Sequence, residues 1–278
     1  MIVIDKEKYI NLLEKNLDIL NESINDKNIF KIIFFCGSPG AGKTTTCDFM
    51  FKNNLEVKIA DVDDIDNYGM YKFMILSNPT KKVDLFKILK VKKQIEQGIL
   101  KTPKDYWNSE DRNEYRIFAN SLLRKRNLNW INSMLPTVYM GIGLNYERIK
   151  KQKAVFESIG FDTYMIYVGC SLDTALERNK KRNRSEPDNI IIDDHHKYEN
   201  LLDSYRNIFK DNFFEIRNES DTSLQNLQNR ADWVYNKIMD NRIHNKLGIE
   251  ICKEMKEKHY KYLSDFFTNF VKFYDKHF

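Results

Sequence analysis

The sequence predicts an α/β fold in which a mostly parallel five-stranded sheet lies between two helical layers, with helical additions at both ends. Three observations predict it. Gly37 to Thr44 reads G-S-P-G-A-G-K-T and matches the G-x-x-x-x-G-K-[ST] pattern of a phosphate-binding loop. The mostly apolar run Phe30-Lys31-Ile32-Ile33-Phe34-Phe35 enters that loop directly, as a buried parallel strand does. A helical stretch follows, and then Val57-Lys58-Ile59-Ala60 forms a second strand ending in Asp61-Val62-Asp63-Asp64. Strand, loop, helix and strand make a βαβ unit, with the acids at the edge where ligands bind.

The elements follow in order along the chain. Ile10, Leu13, Leu17, Leu20 and Ile24 recur at helical spacing among polar residues, which predicts an amphipathic packing helix within residues 1–28. Residues 29–222 are expected to form the core domain. After the loop, Thr45 to Asn53 reads as a helix. From about Tyr68 to Lys104 the chain is lysine-rich with weak apolar periodicity and carries Pro79 and Pro103, which reads as an insertion of short helices.

A long helix is expected over Glu110 to Leu135, and Pro136 precedes a third strand, Thr137-Val138-Tyr139-Met140, that runs into Gly141-Ile142-Gly143. The next helix spans Tyr146 to Ser158, with Gly160 where a helix C-cap belongs. Phe161 to Val168 reads as the fourth strand. Ser171 is the expected N-cap of a helix over Leu172 to Lys181, with Asp173 and Glu177 early in it. A basic stretch, Arg178 to Arg184, ends before Pro187, a helix follows over Asp194 to Phe209, and Phe213 to Arg217 forms the fifth strand. Residues 223–278 read as a helical extension in which Leu263, Phe266, Phe267 and Phe270 repeat at i, i+3, i+4, i+7. That stripe suits packing against the core, with self-association of two copies as the alternative.

Composition narrows the classes of function. A chain of 278 residues with 42% hydrophobic residues buries a substantial core. The 45 Lys and Arg against 40 Asp and Glu leave +5, a mildly basic balance that admits a nucleotide or nucleic-acid partner without demanding one. The four cysteines have no C-x-x-C spacing, and the opening residues carry neither a signal peptide nor a membrane-length apolar run, so an intracellular, cytoplasmic, reduced protein is expected. The five histidines show no metal-ligand spacing, and no structural zinc is expected.

The residue types of the loop state its chemistry. Gly37, Gly40 and Gly42 let the backbone, with Ser38, Pro39 and Ala41 between them, curl its N–H groups around phosphate oxygens, and the helix start adds its positive dipole end. Lys43 reaches the β- and γ-phosphates, the Thr44 hydroxyl ligates Mg²⁺, and Thr45 continues the first helical turn. Among the acids after the second strand, Asp63 is the expected proton acceptor and a second contact for the metal, with helix capping as the alternative role. Arg178 and Arg182 lie four apart on one helix face and Arg184 follows, so three guanidinium groups are expected to close over the phosphates. A solvated basic helix is the alternative.

Beyond the motif itself, G-S-P-G-A-G-K-T, then D-V-D-D, then Leu144-Asn145-Tyr146-Glu147-Arg148 and the Arg178-Asn179 and Lys181-Arg182 positions resemble the kinase domain of bacteriophage polynucleotide 5′-kinases and the related zeta-toxin P-loop kinases. The likeness covers roughly Ile32 to Arg217. It implies a P-loop kinase three-layer sandwich and an ATP- and Mg²⁺-dependent transfer of phosphate to a hydroxyl, a polynucleotide 5′-hydroxyl first and a nucleoside or nucleotide second, in a protein encoded by a phage and acting in host cytoplasm. In that scheme Lys43 and Thr44 bind phosphate and metal, Asp63 is the general base, and Arg178 or Arg182 stabilises the transition state. The chain departs from the pattern at Asp66, where the phage kinases have an arginine, and at Met140-Gly141-Ile142-Gly143-Leu144, where they have Asp-Thr-Asn. The missing third-strand acid motivates an alternative, a nucleotide-binding protein without transfer activity.

Overall fold

The computed structural model describes residues 29–52, 54, 56–61, 93, 97, 112–141, 143–181, 186–240, 242–255, 257–258 and 261. The expected helix within 1–28, nearly all of the 68–104 insertion and the Leu263–Phe270 stripe lie outside these residues.

Five strands form one sheet: β1 (Lys31–Cys36), β2 (Lys58–Ala60), β3 (Thr137–Met140), β4 (Asp162–Gly169) and β5 (Phe213–Arg217). Their order is β2-β3-β1-β4-β5, and every pairing is parallel. β1 is central, with Ile33 opposite Val138 of β3 on one side and Tyr164 of β4 on the other. All six residues of β1 and all eight of β4 are buried, which is why both read as near-continuous apolar runs.

Helices accompany the sheet: α1 (Lys43–Phe51), α2 (Arg112–Asn132), α3 (Tyr146–Ser158), α4 (Leu172–Lys180), α5 (Asp188–Phe209) and α6 (Leu224–Met239), with a further helical run over residues 246–255. Alternation along β1 sends its side chains to two cores. Ile33 and Phe35 pack with Cys47, Met50 and Phe51 of α1 and with Leu227, Ala231, Val234 and Ile238 of α6. Ile32, Phe34 and Cys36 pack with Ile149 of α3 and with Tyr205 and Phe209 of α5. The result is a three-layer α/β sandwich around a parallel sheet, with apolar side chains worth about 1.5–3 kcal/mol each when fully buried.

Local signals set most boundaries. The Ser171 hydroxyl accepts the Thr174 N–H at 3.3 Å and starts α4, and Ser223 accepts from Asn226 at 3.2 Å and starts α6. α5 begins at Asp188, more than a turn before the expected Asp194, because Pro187 occupies its N-cap and supplies a compatible φ of −57°. The C-terminal extension is not one helix. It breaks after Met239 and resumes over residues 246–255, where the Asp162 carboxylate accepts the main-chain N–H groups of His244 and Asn245 at 2.8 and 2.9 Å.

Candidate active site

The sheet order changes direction at β1: β2 and β3 lie to one side of it and β4 and β5 to the other. A crevice opens beyond the C-terminal ends of strands at such a switch point. Gly37 to Gly42 leaves β1 there and turns into α1.

Three elements crowd this loop and leave no room for side chains at its glycines. A Cβ on Gly37 would lie 2.2 Å from the Val168 carbonyl of β4, and one on Gly40 would lie 2.6 Å from the Ala175 carbonyl of α4. Gly42 caps α1 in the left-handed conformation, φ 86° and ψ 26°, and a Cβ there would meet Asn218 Nδ2 at 2.2 Å. Lys43 Nζ folds back over the turn and donates to the carbonyls of Gly37 at 2.8 Å and Ser38 at 3.0 Å. Ser38 is fully buried, and among the described residues its hydroxyl has no hydrogen-bond partner. Thr44 and Thr45 are exposed on the first turn of α1, whose leading N–H groups have no partner within the helix.

A cradle with no Cβ at Gly37, Gly40 or Gly42, a lysine across its mouth, an orphaned hydroxyl within it and an exposed threonine on the first helical turn fit a magnesium-bound triphosphate. Lys43 and the loop amides suit the phosphates, and the Thr44 oxygen is a hard donor of the type magnesium takes.

Residues far away in the chain hold the loop in shape. Tyr198, on α5 and fully buried, accepts the Gly37 N–H at 3.0 Å. Tyr205, two turns on along the same helix, donates its hydroxyl to the Gly143 carbonyl in the β3–α3 connection. Burial pushes both phenols above their ordinary pKa, so they stay protonated. Asn218, just after β5, donates Nδ2 to the Ala41 carbonyl at 2.8 Å and its own N–H to Gly169 at 2.8 Å. The signals for these residues in the sequence are faint. Tyr198 and Tyr205 belong to the buried stripe Ile191, Asp194, Tyr198, Leu202, Tyr205 and Phe209 of α5, which reads as ordinary core. Asn218 follows a strand and has no local signature.

Arg178 lies on α4, and its guanidinium donates to the Asn218 carbonyl at 2.8 Å, to Asn218 Oδ1 at 3.3 Å and to the Glu219 carbonyl at 2.8 Å. In this state it braces the segment that braces the loop. The structure thus brings Arg178, Lys43 and the glycines into one network through Asn218. Asp63, Arg182 and Arg184 lie outside the described residues. Asp61 directly follows β2, the edge strand, and is half-buried.

The two cysteines nearest the loop are protonated thiols. Burial pushes Cys36 up to about 12 against the opposing Lys43 ammonium, and Cys170 up to about 11 against Arg178. Among the described residues no helix is long and apolar enough to cross a membrane, and no group of three or more acidic, histidine or cysteine side chains is arranged to hold a metal on its own.

No protein-family profile matches the chain, so the resemblance to phage 5′-kinases rests on the quoted motifs, and no curated protein matches it. Solved structures with a similar fold include TT1252 from Thermus thermophilus, with a TM-score of 0.39 and 13% identity over 74% of this chain and 96% of that one. They also include a deoxyadenosine kinase from M. mycoides with bound dCTP, with a TM-score of 0.38 and 18% identity over 76% of this chain and 100% of that one. The same kinase with bound dATP gives a TM-score of 0.36 and 18% identity, over 75% and 98% of the two chains.

Proposed function

We propose that this protein is a P-loop phosphotransferase that moves the γ-phosphoryl group of ATP to a hydroxyl acceptor, with a polynucleotide 5′-hydroxyl as the leading acceptor. The observation that carries the reading is Lys43 Nζ, held 2.8 and 3.0 Å from the Gly37 and Ser38 carbonyls across a glycine cradle at a strand-to-helix turn. In this scheme the loop amides and Lys43 hold the β- and γ-phosphates, and Thr44 faces the magnesium, which neutralises charge on the phosphoryl oxygens when bound. Asp63 takes the proton from the acceptor hydroxyl as its oxygen attacks phosphorus in line and ADP leaves. Arg182 and Arg184 close over the phosphates, and Arg178 joins them by leaving the Asn218 and Glu219 carbonyls that it holds here, a role in which an arginine contributes roughly 10³ to 10⁵ in rate.

The acceptor follows from the resemblance at Leu144 to Arg148, and a nucleoside or nucleotide is the next candidate. A second reading, nucleotide binding without transfer, is supported by one feature: β3 runs out through Met140-Gly141-Ile142-Gly143 without a carboxylate.

The test incubates purified protein with γ-labelled ATP, magnesium and a panel of 5′-hydroxyl oligonucleotides, nucleosides and sugar nucleotides. Labelled oligonucleotide is expected, and Lys43→Ala is expected to abolish it. Label on nucleosides alone would replace the leading acceptor. ATP binding with no transfer to any acceptor would establish the second reading.

A further inference from the structure

A phosphate loop ordinarily shares its magnesium with a carboxylate from the neighbouring strand. Here that strand, β3, has none at its end, yet α5 brings a carboxylate to the same crevice. Asp194 is 8% exposed, and among the described residues its carboxylate accepts no hydrogen bond, although a carboxylate is among the costliest groups to bury unpaired.

Its position follows from two fixed points on the same helix. Tyr198, one turn further along the same face, accepts the Gly37 N–H at the start of the loop, and the neighbouring His195 places Nε2 3.0 Å from the Cys170 carbonyl just beyond β4. Farther along, Phe209 stacks edge-on against Phe34 in the middle of β1, so α5 runs from the open edge of the sheet down its face. Four residues of helix span about 6 Å, which carries Asp194 past the C-terminal ends of the strands, above the turn where Gly37 leaves β1.

Burial raises the Asp194 pKa, the Lys197 ammonium works against that rise with Lys43 behind it, and Asp193 and Glu186 add to it. Asp194 therefore senses the charge of the lysine that crosses the phosphate cradle.

We propose that Asp194 supplies, from α5, the carboxylate that faces the divalent cation of the phosphate loop, in the place left by the acid missing from β3. The inference rests on reading Gly37 to Thr44 as a triphosphate site. It predicts opposite effects of the same substitution with and without metal. Without metal, Asp194 repels the phosphates. With metal, it holds the cation.

The experiment titrates Mn²⁺ into the full-length protein saturated with a non-hydrolysable ATP analogue and follows free Mn²⁺ by electron paramagnetic resonance. Asp194→Asn, which keeps the shape of the side chain, is expected to weaken Mn²⁺ about 10- to 100-fold, the usual cost of losing a group that supports a metal. Binding of the analogue without metal is expected to stay equal or tighten, and the variant is expected to melt at or above the wild-type temperature, because a neutral side chain is cheaper to bury. Asp194→Ala provides a second, independent reading of the metal affinity. Unchanged Mn²⁺ affinity in both variants would overturn the proposal, as would a parallel loss of analogue binding with and without metal, which marks a structural role. A wild-type protein that binds no analogue would overturn the triphosphate reading itself, a result distinct from normal analogue binding with an unchanged metal response.

Discussion

Substituting Gly42 by alanine tests whether Asn218 shapes the phosphate loop. The backbone at Gly42 has φ 86° and ψ 26°, and holding an L-residue in that left-handed conformation costs about 1–2 kcal/mol. The new methyl would also stand 2.2 Å from Asn218 Nδ2, where ordinary contact begins at 3.4 Å. The amide must swing away and release the Ala41 carbonyl that it holds at 2.8 Å. Ala41 is fully buried, and a buried carbonyl left without its partner costs about 1–3 kcal/mol. Gly42→Ala is thus expected to lower stability by about 2–5 kcal/mol, from the strain and the orphaned carbonyl together. Asn218→Ala orphans the same carbonyl without the strain. The double variant pays for that carbonyl only once, so the two substitutions should fall short of additivity by about 1–3 kcal/mol. Urea unfolding of the wild type, both single variants and the double variant measures this coupling. Additive losses would refute the reasoning, because they would mean that the methyl and the amide do not compete for one space.

Other predictions concern the supports around the site. Tyr198→Phe strips the Gly37 N–H of its 3.0 Å acceptor and is expected to cost about 1–3 kcal/mol in urea unfolding, with weaker ATP binding as the loop loosens. Asp162→Ala removes the acceptor of two main-chain N–H groups at 2.8 and 2.9 Å, and limited proteolysis is expected to cut within residues 242–255 while the sheet stays protected. Burial raises the Glu219 pKa, but hydrogen bonds from the Ser171 main chain and hydroxyl and from Thr174 outweigh it and hold the carboxyl below its usual range. Its stabilisation is therefore present above the unfolded-state pKa and lost as pH falls through the lower folded value. Glu219→Gln is expected to flatten the acid limb of stability against pH, measured by thermal melting at stepped pH.

How much of this was legible in the chain depends on the range of the signal. The third and fifth strands begin and end where Thr137-Val138-Tyr139-Met140 and Phe213 to Arg217 predict, because short apolar runs bounded by turn residues carry their own limits. Ser171 was readable as a cap because its partner, Thr174, is three residues away. The helical extension expected over 223–278 carried no sign of its break after Met239, since the group that holds the chain where it restarts is Asp162, which is 82 residues from His244.

The sequence by itself determined the phosphate cradle and the fold around it. A glycine loop between an apolar strand and a helix is a local pattern, and its chemistry follows from residue types within eight positions of one another. Only the tertiary structure decided what keeps the cradle open. Tyr198 reaches Gly37 across 161 residues, and Asn218 reaches Ala41 across 177. Their roles come from the parallel order of the sheet, which brings the C-terminal ends of β1, β4 and β5 to one edge and lays α5 along them. The same convergence sets a buried carboxylate, Asp194, above a loop whose neighbouring strand lacks one. A pattern of spacing cannot carry that placement, because the physical cause is packing between elements distant in the chain.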